Sequence, residues 1–426
     1  MTPSPHILIV GAGPGGALLA YLLARRGIHV TLLERQHDFA REFRGEVLMP
    51  SGLDMLWQAG LTEAFRQVPQ LRFERLAIYW HTRRLFGVRA ADLFKSRAGS
   101  GPLFTSSAAS GPLITSQPAM LEMLVAAAGR YPNFTLERGV SVGGPVIEGG
   151  RVVGVRAAGH EEREWRGDLV VGADGRFSVL RERSGLQEAH IPQFFDVLWC
   201  KVPMPAFMTE TARGYLGNGH MALMFKSYED QLQVGWIIAK GAFGDLRKQG
   251  PEAWLADLAH HVSPDMAAHL IAHREDIAHP FLLNVVCDRL EHWTAPGLLL
   301  IGDAAHPMSP VGGQGLNMAL RDAVVAHNHL APVLLAGGGP AALDEAAARA
   351  EAERLPETLA IQELQQTPPG LLFADTWRSK LTVDVIAPLF FPMLVPLLAR
   401  TGVLSRLTAN NLQVFLNGVT PVHLDS

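Results

Sequence analysis

Three glycine turns gather most of the residues whose types and spacing suit chemistry. The first, Gly11-Ala12-Gly13-Pro14-Gly15-Gly16, follows the apolar run Ile7–Val10 and opens a stretch of helical period. In that context the first glycine permits a tight turn, the second lets a pyrophosphate approach the backbone, and the third allows close helix–strand packing. Glu34, closing the next apolar run, stands where a carboxylate accepts hydrogen bonds from an adenosine ribose. The last turn says most. Strand-like Leu298–Ile301 ends at Gly302-Asp303, a Pro/Gly-rich segment carries Pro310, Gly312, Gly313, Gln314 and Gly315, and a helix-periodic run begins near Leu316-Asn317. A helix start offers unpaired N–H groups and a positive dipole end to an anion, and Asp303 suits a polyol or ribose hydroxyl. The pattern predicts a cradle for a large, partly anionic cofactor.

Which one is decided by the middle and late turns together, through the resemblance they carry. Gly172-Ala173-Asp174-Gly175-Arg176-Phe177-Ser178-Val179-Leu180-Arg181 fits G-A-D-G-x-x-S-x-x-R, and Gly302 through Asn317 fits G-D-A-A-H-x-x-x-P-x-x-G-x-G-x-N. With the opening turn, these resemble the three fingerprints of the class A flavoprotein aromatic hydroxylases, the p-hydroxybenzoate hydroxylase-like FAD-dependent monooxygenases, over roughly residues 5–335. The resemblance implies FAD, with NADPH or NADH and dioxygen as co-substrates. It implies hydroxylation of an aromatic or polyketide-like small molecule through a flavin hydroperoxide, the cofactor carrying the hard chemistry.

Carried over residue by residue, the resemblance assigns cofactor binding to Gly11, Gly13, Pro14, Gly15 and Gly16, to Glu34 and Arg35, and to Arg44 and Gln117. It adds Asp174 and Gly175, then Gly302 and Asp303 (the latter on the ribityl chain), and Pro310, Gly312, Gly313, Gln314, Gly315, Leu316 and Asn317. Arg44 and Pro310 are expected beside the reacting ring, whereas His306 is expected to be structural. A phenolic substrate gains nucleophilicity from a base or acceptor favouring phenolate. Tyr215, His220 and Tyr228 are candidates, with Arg213 as charge partner; Leu223, Phe225 and Trp236 would line a pocket or form the sheet's core.

The elements that must position these residues read as βαβ over the first thirty-five residues, then strands and a helix at Gln117–Gly129. Phe195–Val202, Tyr215–Phe225 and Gln231–Ala239 are strand-like runs suggesting an antiparallel sheet, followed by a helical stretch over Glu252–His273. The expected fold is α/β: a Rossmann-like FAD-binding domain of the p-hydroxybenzoate hydroxylase and glutathione reductase type, interrupted by a β-sheet substrate domain, with a helical C-terminal part. The expected boundaries are 1–72, 112–188 and 281–335 for the first, 73–111 and 189–280 for the second, and 336–426 for the third. Gly/Ser-rich 97–112 reads as a loop.

A formal net charge of −4 with scattered lysine and arginine argues against a nucleic-acid partner. Cys200 and Cys287 have no metal or redox spacing, which suits a reducing cytoplasm. No secretion signal is expected at the N-terminus. Residues 385–399 are apolar but shorter than the roughly 20 residues that span a bilayer, and are expected to dock on protein rather than membrane. The oligomeric state stays open. Two other functions compete: a flavin-dependent reductase of a prenyl or other hydrophobic substrate, and a flavin-bound, non-catalytic ligand-binding protein.

Overall fold

The structure is a computed structural model that describes residues 5–40, 47–90, 112–217, 220–277, 280–373 and 417. At its centre lies a six-stranded sheet in the order Thr294–Ala295, Leu298–Leu300, Leu169–Gly172, His6–Val10, His29–Glu34, Phe134–Arg138. All its pairings are parallel except the antiparallel edge strand Thr294–Ala295. Parallel strands are covered on both faces and so read as unbroken apolar runs; Ile7, Leu8, Ile9 and Leu169 through Val171 are all buried accordingly.

One face packs on the helices Pro14–Arg25, Gln117–Ala128 and Gly315–Leu335. Pro14 starts the first helix, where a missing N–H costs nothing, and the Ser116 hydroxyl caps the second by accepting from the Ala119 amide. The other face packs on a three-stranded meander, Val142–Glu148, Arg151–Ala157 and His160–Arg166. Between His160–Arg166 and the central strand Leu169–Gly172 the chain turns at Gly167-Asp168, where the His6 amide donates to the Asp168 carboxylate at 2.7 Å.

A seven-stranded sheet stands beside this layer, in the order Phe281–Leu283, Phe195–Pro203, Gln231–Ala239, His220–Lys226, Ala212–Gly217, Arg75–Trp80, Arg83–Arg89. It is mixed rather than purely antiparallel, since Arg75–Trp80 runs parallel to Ala212–Gly217. One face carries the helices Pro251–His260 and Pro264–Ala272 over a core of Leu198, Cys200, Tyr215, Trp236 and Met224. The expected single helical stretch there is broken at Ser263-Pro264, as the restriction on a residue preceding proline demands. The opposite face looks towards the six-stranded sheet.

The helix Pro340–Phe373 packs along Gly315–Leu335. Between them sits a buried ionic network: Arg354 donates to Asp322 at 2.7 Å and to Glu357, and Arg321 pairs with Glu357 at 2.8 Å. Among the described residues no helix is long and apolar enough to cross a membrane; residues 385–399 and nearly all of 97–112 lie outside them.

Candidate active site

The strands His6–Val10, His29–Glu34, Leu169–Gly172 and Leu298–Leu300 end at one edge of the parallel sheet, the edge where open α/β sheets bind ligands. The glycines of the opening turn divide by role. A Cβ on Gly11 (φ +99°) would come within 2.4 Å of the Ala173 carbonyl oxygen, and one on Gly16 within 2.0 Å of the Gly11 carbonyl oxygen. Both positions are demanded by the fold. Gly13 is different: its Cβ would meet nothing nearer than 3.9 Å, so protein packing does not require glycine there, whereas a closely approaching ligand would. Glu34, buried, accepts from the Ala12 and Gln36 amides at 2.9 Å each. A carboxylate has further lone pairs, and Glu34 still borders the cavity.

The middle and late turns are bolted together. Asp174 accepts from the Ser178 hydroxyl at 2.6 Å and the Leu180 amide at 3.3 Å, and burial pushes its carboxyl above the usual range. Arg181 donates to the carbonyls of Asp303 (3.1 Å) and Ala304 (3.2 Å). Arg176 Nε donates to Asp303 Oδ2 at 3.1 Å. Behind them Asp322 accepts from the Gly302 amide at 2.9 Å and holds His306 at 2.6 Å. Burial alone would raise the Asp322 carboxyl; His306 and Arg354 outweigh it and hold the group well below the usual carboxylate range.

The late loop runs from Pro310 through Gly312 and Gly313, both at positive φ, into the helix at Gly315, which has no side-chain cap. Its first-turn N–H groups therefore have no intrahelical acceptor and lie where Gly313 to Leu316 border the cavity. Asn317 turns away: it is fully buried, accepts from the Met49 amide at 2.8 Å and donates to the carbonyls of Gly313 (2.8 Å) and Val47 (3.3 Å).

One cavity of about 550 Å³ joins this cradle to the seven-stranded sheet. Strand alternation decides what enters it. Phe195, Val197, Trp199, Met221, Leu223, Phe225, Gln233, Gly235 and Ile237 border the cavity; Leu198, Cys200, Ala222, Met224, Leu232, Val234 and Trp236 pack under the helices. Trp199 lies against the bare Cα of Gly235, where a Cβ would come within 2.5 Å of its ring, and meets Phe225 edge-on at 5.9 Å.

This donor set fits FAD: open glycine backbone at 13, 175, 312 and 313, two helix N-termini without acidic residues in their first turns, and carboxylates at two strand ends. The chain matches the family model of the FAD binding domain over residues 5–359. It is 35% identical over 333 residues to 6-methylpretetramide 4-monooxygenase of Streptomyces rimosus, an alignment covering 78% of this chain and 75% of that protein. The chain belongs to the FAD-dependent flavoprotein monooxygenase family. Squalene monooxygenase SE2 of Panax ginseng is more distant, 25% identical over 78% of this chain and 58% of its own. Among solved structures, PqsL of Pseudomonas aeruginosa superposes with a TM-score of 0.72 at 21% identity, over 87% of this chain and 97% of that one, a likeness of fold.

Within this monooxygenase, Gly11, Gly13, Pro14, Gly15, Glu34, Arg35, Gln117, Asp174, Gly175, Gly302, Asp303, Pro310 and Gly312 to Leu316 all border the cavity. Gly16 and Asn317 serve it from behind, the one by packing and the other by clamping Val47–Met49 to the loop. Arg44 and its neighbour Glu46 lie outside the described residues. The structure does not bring Tyr215 and His220 to the cavity. Tyr215 is buried on the helix side, bonded to Ser263 at 2.9 Å with its phenol raised by burial, and Arg213 joins it there through Asp265 at 3.1 Å. His220 stacks on His261 with centroids 3.5 Å apart on that same side, and burial lowers its imidazole. Trp236 also faces the helices, Leu223 and Phe225 face the cavity, and Tyr228 packs against the cluster of Ile114, Ala212 and Phe225 with Lys201 over its ring. His306 is buried against Asp322 and Trp293. Sequence reasoning missed Arg176, Trp199 and Gln233. Arg176 lay within a motif already quoted, and the other two carried only the period-two alternation of their strands.

Proposed function

We propose that this flavoprotein monooxygenase hydroxylates a planar aromatic or polyketide-like small molecule, consuming NADPH or NADH. The observation carrying the proposal is the continuity of the glycine-rich cradle with an aromatic-lined sheet face in one cavity. The Streptomyces rimosus relative, named for action on 6-methylpretetramide, supports a polycyclic substrate. Held by this cradle, FAD would supply the redox chemistry, hydride acceptance from the nicotinamide and activation of dioxygen.

The chain's own residues bind, orient and exclude water. Gly11, Gly13 and the Pro14 helix start would hold the pyrophosphate, Glu34 and Arg35 the adenosine end, and Asp303 the ribityl hydroxyls. Gln117, Asp174 and Gly175 would complete the cradle. The Gly315 helix start would offer N–H groups to negative charge developing on the ring system, with Pro310 and Gly312 to Leu316 as its wall. Phe195, Trp199 and Phe225 would hold an aromatic substrate by offset or edge contacts and keep water out. We assign cofactor binding to 1–72, 112–188 and 281–335, substrate binding to 73–111 and 189–280, and a third region to 336–426, helical over Pro340–Phe373. Cytoplasmic residence is supported by two buried, unpaired thiols, with Cys200 pushed up to about 12 by burial.

The test is oxygen uptake and NAD(P)H oxidation by FAD-loaded protein over a panel of phenols and hydroxylated polycyclic aromatics, with product mass. One dioxygen consumed per nicotinamide oxidised, with one oxygen atom gained by the product and the other leaving as water, is the expected result. A product gaining only hydrogen would make the chain a reductase, and no substrate-stimulated oxidation by any compound would sink the enzyme reading.

A further inference from the structure

We infer that Gln233 is the specificity-determining residue of the substrate half, its amide oxygen accepting a hydrogen bond from a hydroxyl on an uncharged, planar, fused-ring substrate. This rests on the hydroxylase reading above and narrows its substrate class.

Gln233 is 2% exposed and borders the cavity. Its Oε1 has no hydrogen-bond partner among the described residues. A buried amide oxygen left unsatisfied is costly and uncommon in a folded protein, so a ligand donor is the natural partner. The surroundings sharpen this. Among the cavity-lining residues that the seven-stranded sheet contributes, Gln233 alone bears an amide or charged side chain; the others are glycine, aliphatic, methionine or aromatic. Its cross-strand neighbours are Phe225 on one side and Lys201 on the other. Lys201 is drawn off to Glu229 at 2.6 Å and Tyr228, so its charge is already answered away from the amide.

A single neutral acceptor among aromatic walls selects by what it leaves unpaired. A phenolic or enolic O–H satisfies it, and the analogue lacking that hydroxyl strands it in an apolar site. The amide N–H beside it can serve a second acceptor on the ring system, so a ring hydroxyl that is not already bonded to a neighbouring ketone presents the matching donor. No charged side chain of this sheet borders the cavity, which disfavours a carboxylate on the substrate's inner edge.

The experiment uses FAD-loaded protein, 2,6-dihydroxyanthraquinone as probe and unsubstituted anthraquinone as control, with binding read from the change in the flavin spectrum. Wild type should bind the dihydroxy compound about tenfold or more tightly over the control, a difference worth one good hydrogen bond. Gln233→Met, close in shape but without an acceptor, should erase that preference while FAD content and thermal midpoint stay at the wild-type level. Gln233→Glu, which keeps an acceptor, should retain it. Preference surviving in Gln233→Met, or absent from wild type although both compounds bind, overturns the role of Gln233 and leaves the hydroxylase reading standing. If neither compound perturbs the flavin of wild type, the planar aromatic substrate falls and this inference falls with it.

Discussion

Arg176 Nε lies 3.1 Å from Asp303 Oδ2, so the middle and late glycine turns meet in an ion pair on the wall of the cofactor cavity. The pair is partly buried, with Asp303 the more accessible partner. Asp303 thus reaches the cavity already oriented and charged, and a ligand hydroxyl would find an acceptor that does not have to reorganise.

Removing that carboxylate should weaken FAD binding. Hydrogen bonds to a charged acceptor contribute about 1.5–3 kcal/mol, so Asp303→Ala should raise the FAD dissociation constant about ten- to a hundredfold. Asp303→Asn, which still accepts, should fall between. Equilibrium titration of apoprotein with FAD measures this, and unaltered affinity in Asp303→Ala would disprove the assignment.

Gly13 and Gly16 should respond to alanine in different ways. Gly13→Ala meets no protein atom nearer than 3.9 Å and should fold with an unchanged apoprotein melting temperature, yet lose about tenfold or more in FAD affinity. Gly16→Ala drives Cβ to 2.0 Å from the Gly11 carbonyl oxygen and should destabilise by about 1–3 kcal/mol or more. Calorimetry beside FAD titration separates the two; equal behaviour would refute the division.

Arg354 holds Asp322, and Asp322 holds the Gly302 amide and His306. Arg354→Met strands a buried carboxylate, which typically costs about 3–5 kcal/mol. Because Gly302 precedes Asp303, FAD retention should also drop. Chemical denaturation with the holoprotein checks both, and a stability loss with no change in FAD affinity would show that the network does not reach the cradle.

Stability should decline in mild acid through His327. Burial lowers its imidazole from 6.5 to about 4, with Arg25 and Arg26 adding to the effect. Between those values the unfolded chain binds a proton that the native one does not, so stability present above pH 6.5 falls as pH drops towards about 4 and levels off below it. The shift corresponds to about 3 kcal/mol. His327→Gln should flatten that part of the denaturation profile; an unchanged slope would exclude His327 as its source.

The cofactor half was legible in sequence because its chemistry is backbone chemistry. Gly11, Gly13, Gly175 and Gly312 mark where the chain must turn or leave room, and such demands are written in residue type. The substrate half was harder to read. Both faces of the seven-stranded sheet are covered, one by helices and one by the cavity wall, so hydrophobic alternation cannot tell which face is which. Tyr215 and His220 therefore looked as suited to chemistry as Gln233, although only the last borders the cavity. Asn317 carried a motif position but spends its side chain on Met49, Val47 and Gly313, a tertiary pairing across some 270 residues that no local pattern encodes.

Along Gln231–Ala239, residues 233, 235 and 237 border the cavity while 232, 234, 236 and 238 build the core beneath the helices. Selectivity and folding are thereby written on alternate letters of the same nine-residue word. A lineage, or an engineer, can rewrite position 233 to admit new molecules without disturbing the layer beneath the helices, whereas Gly235 is held to glycine by the Trp199 ring.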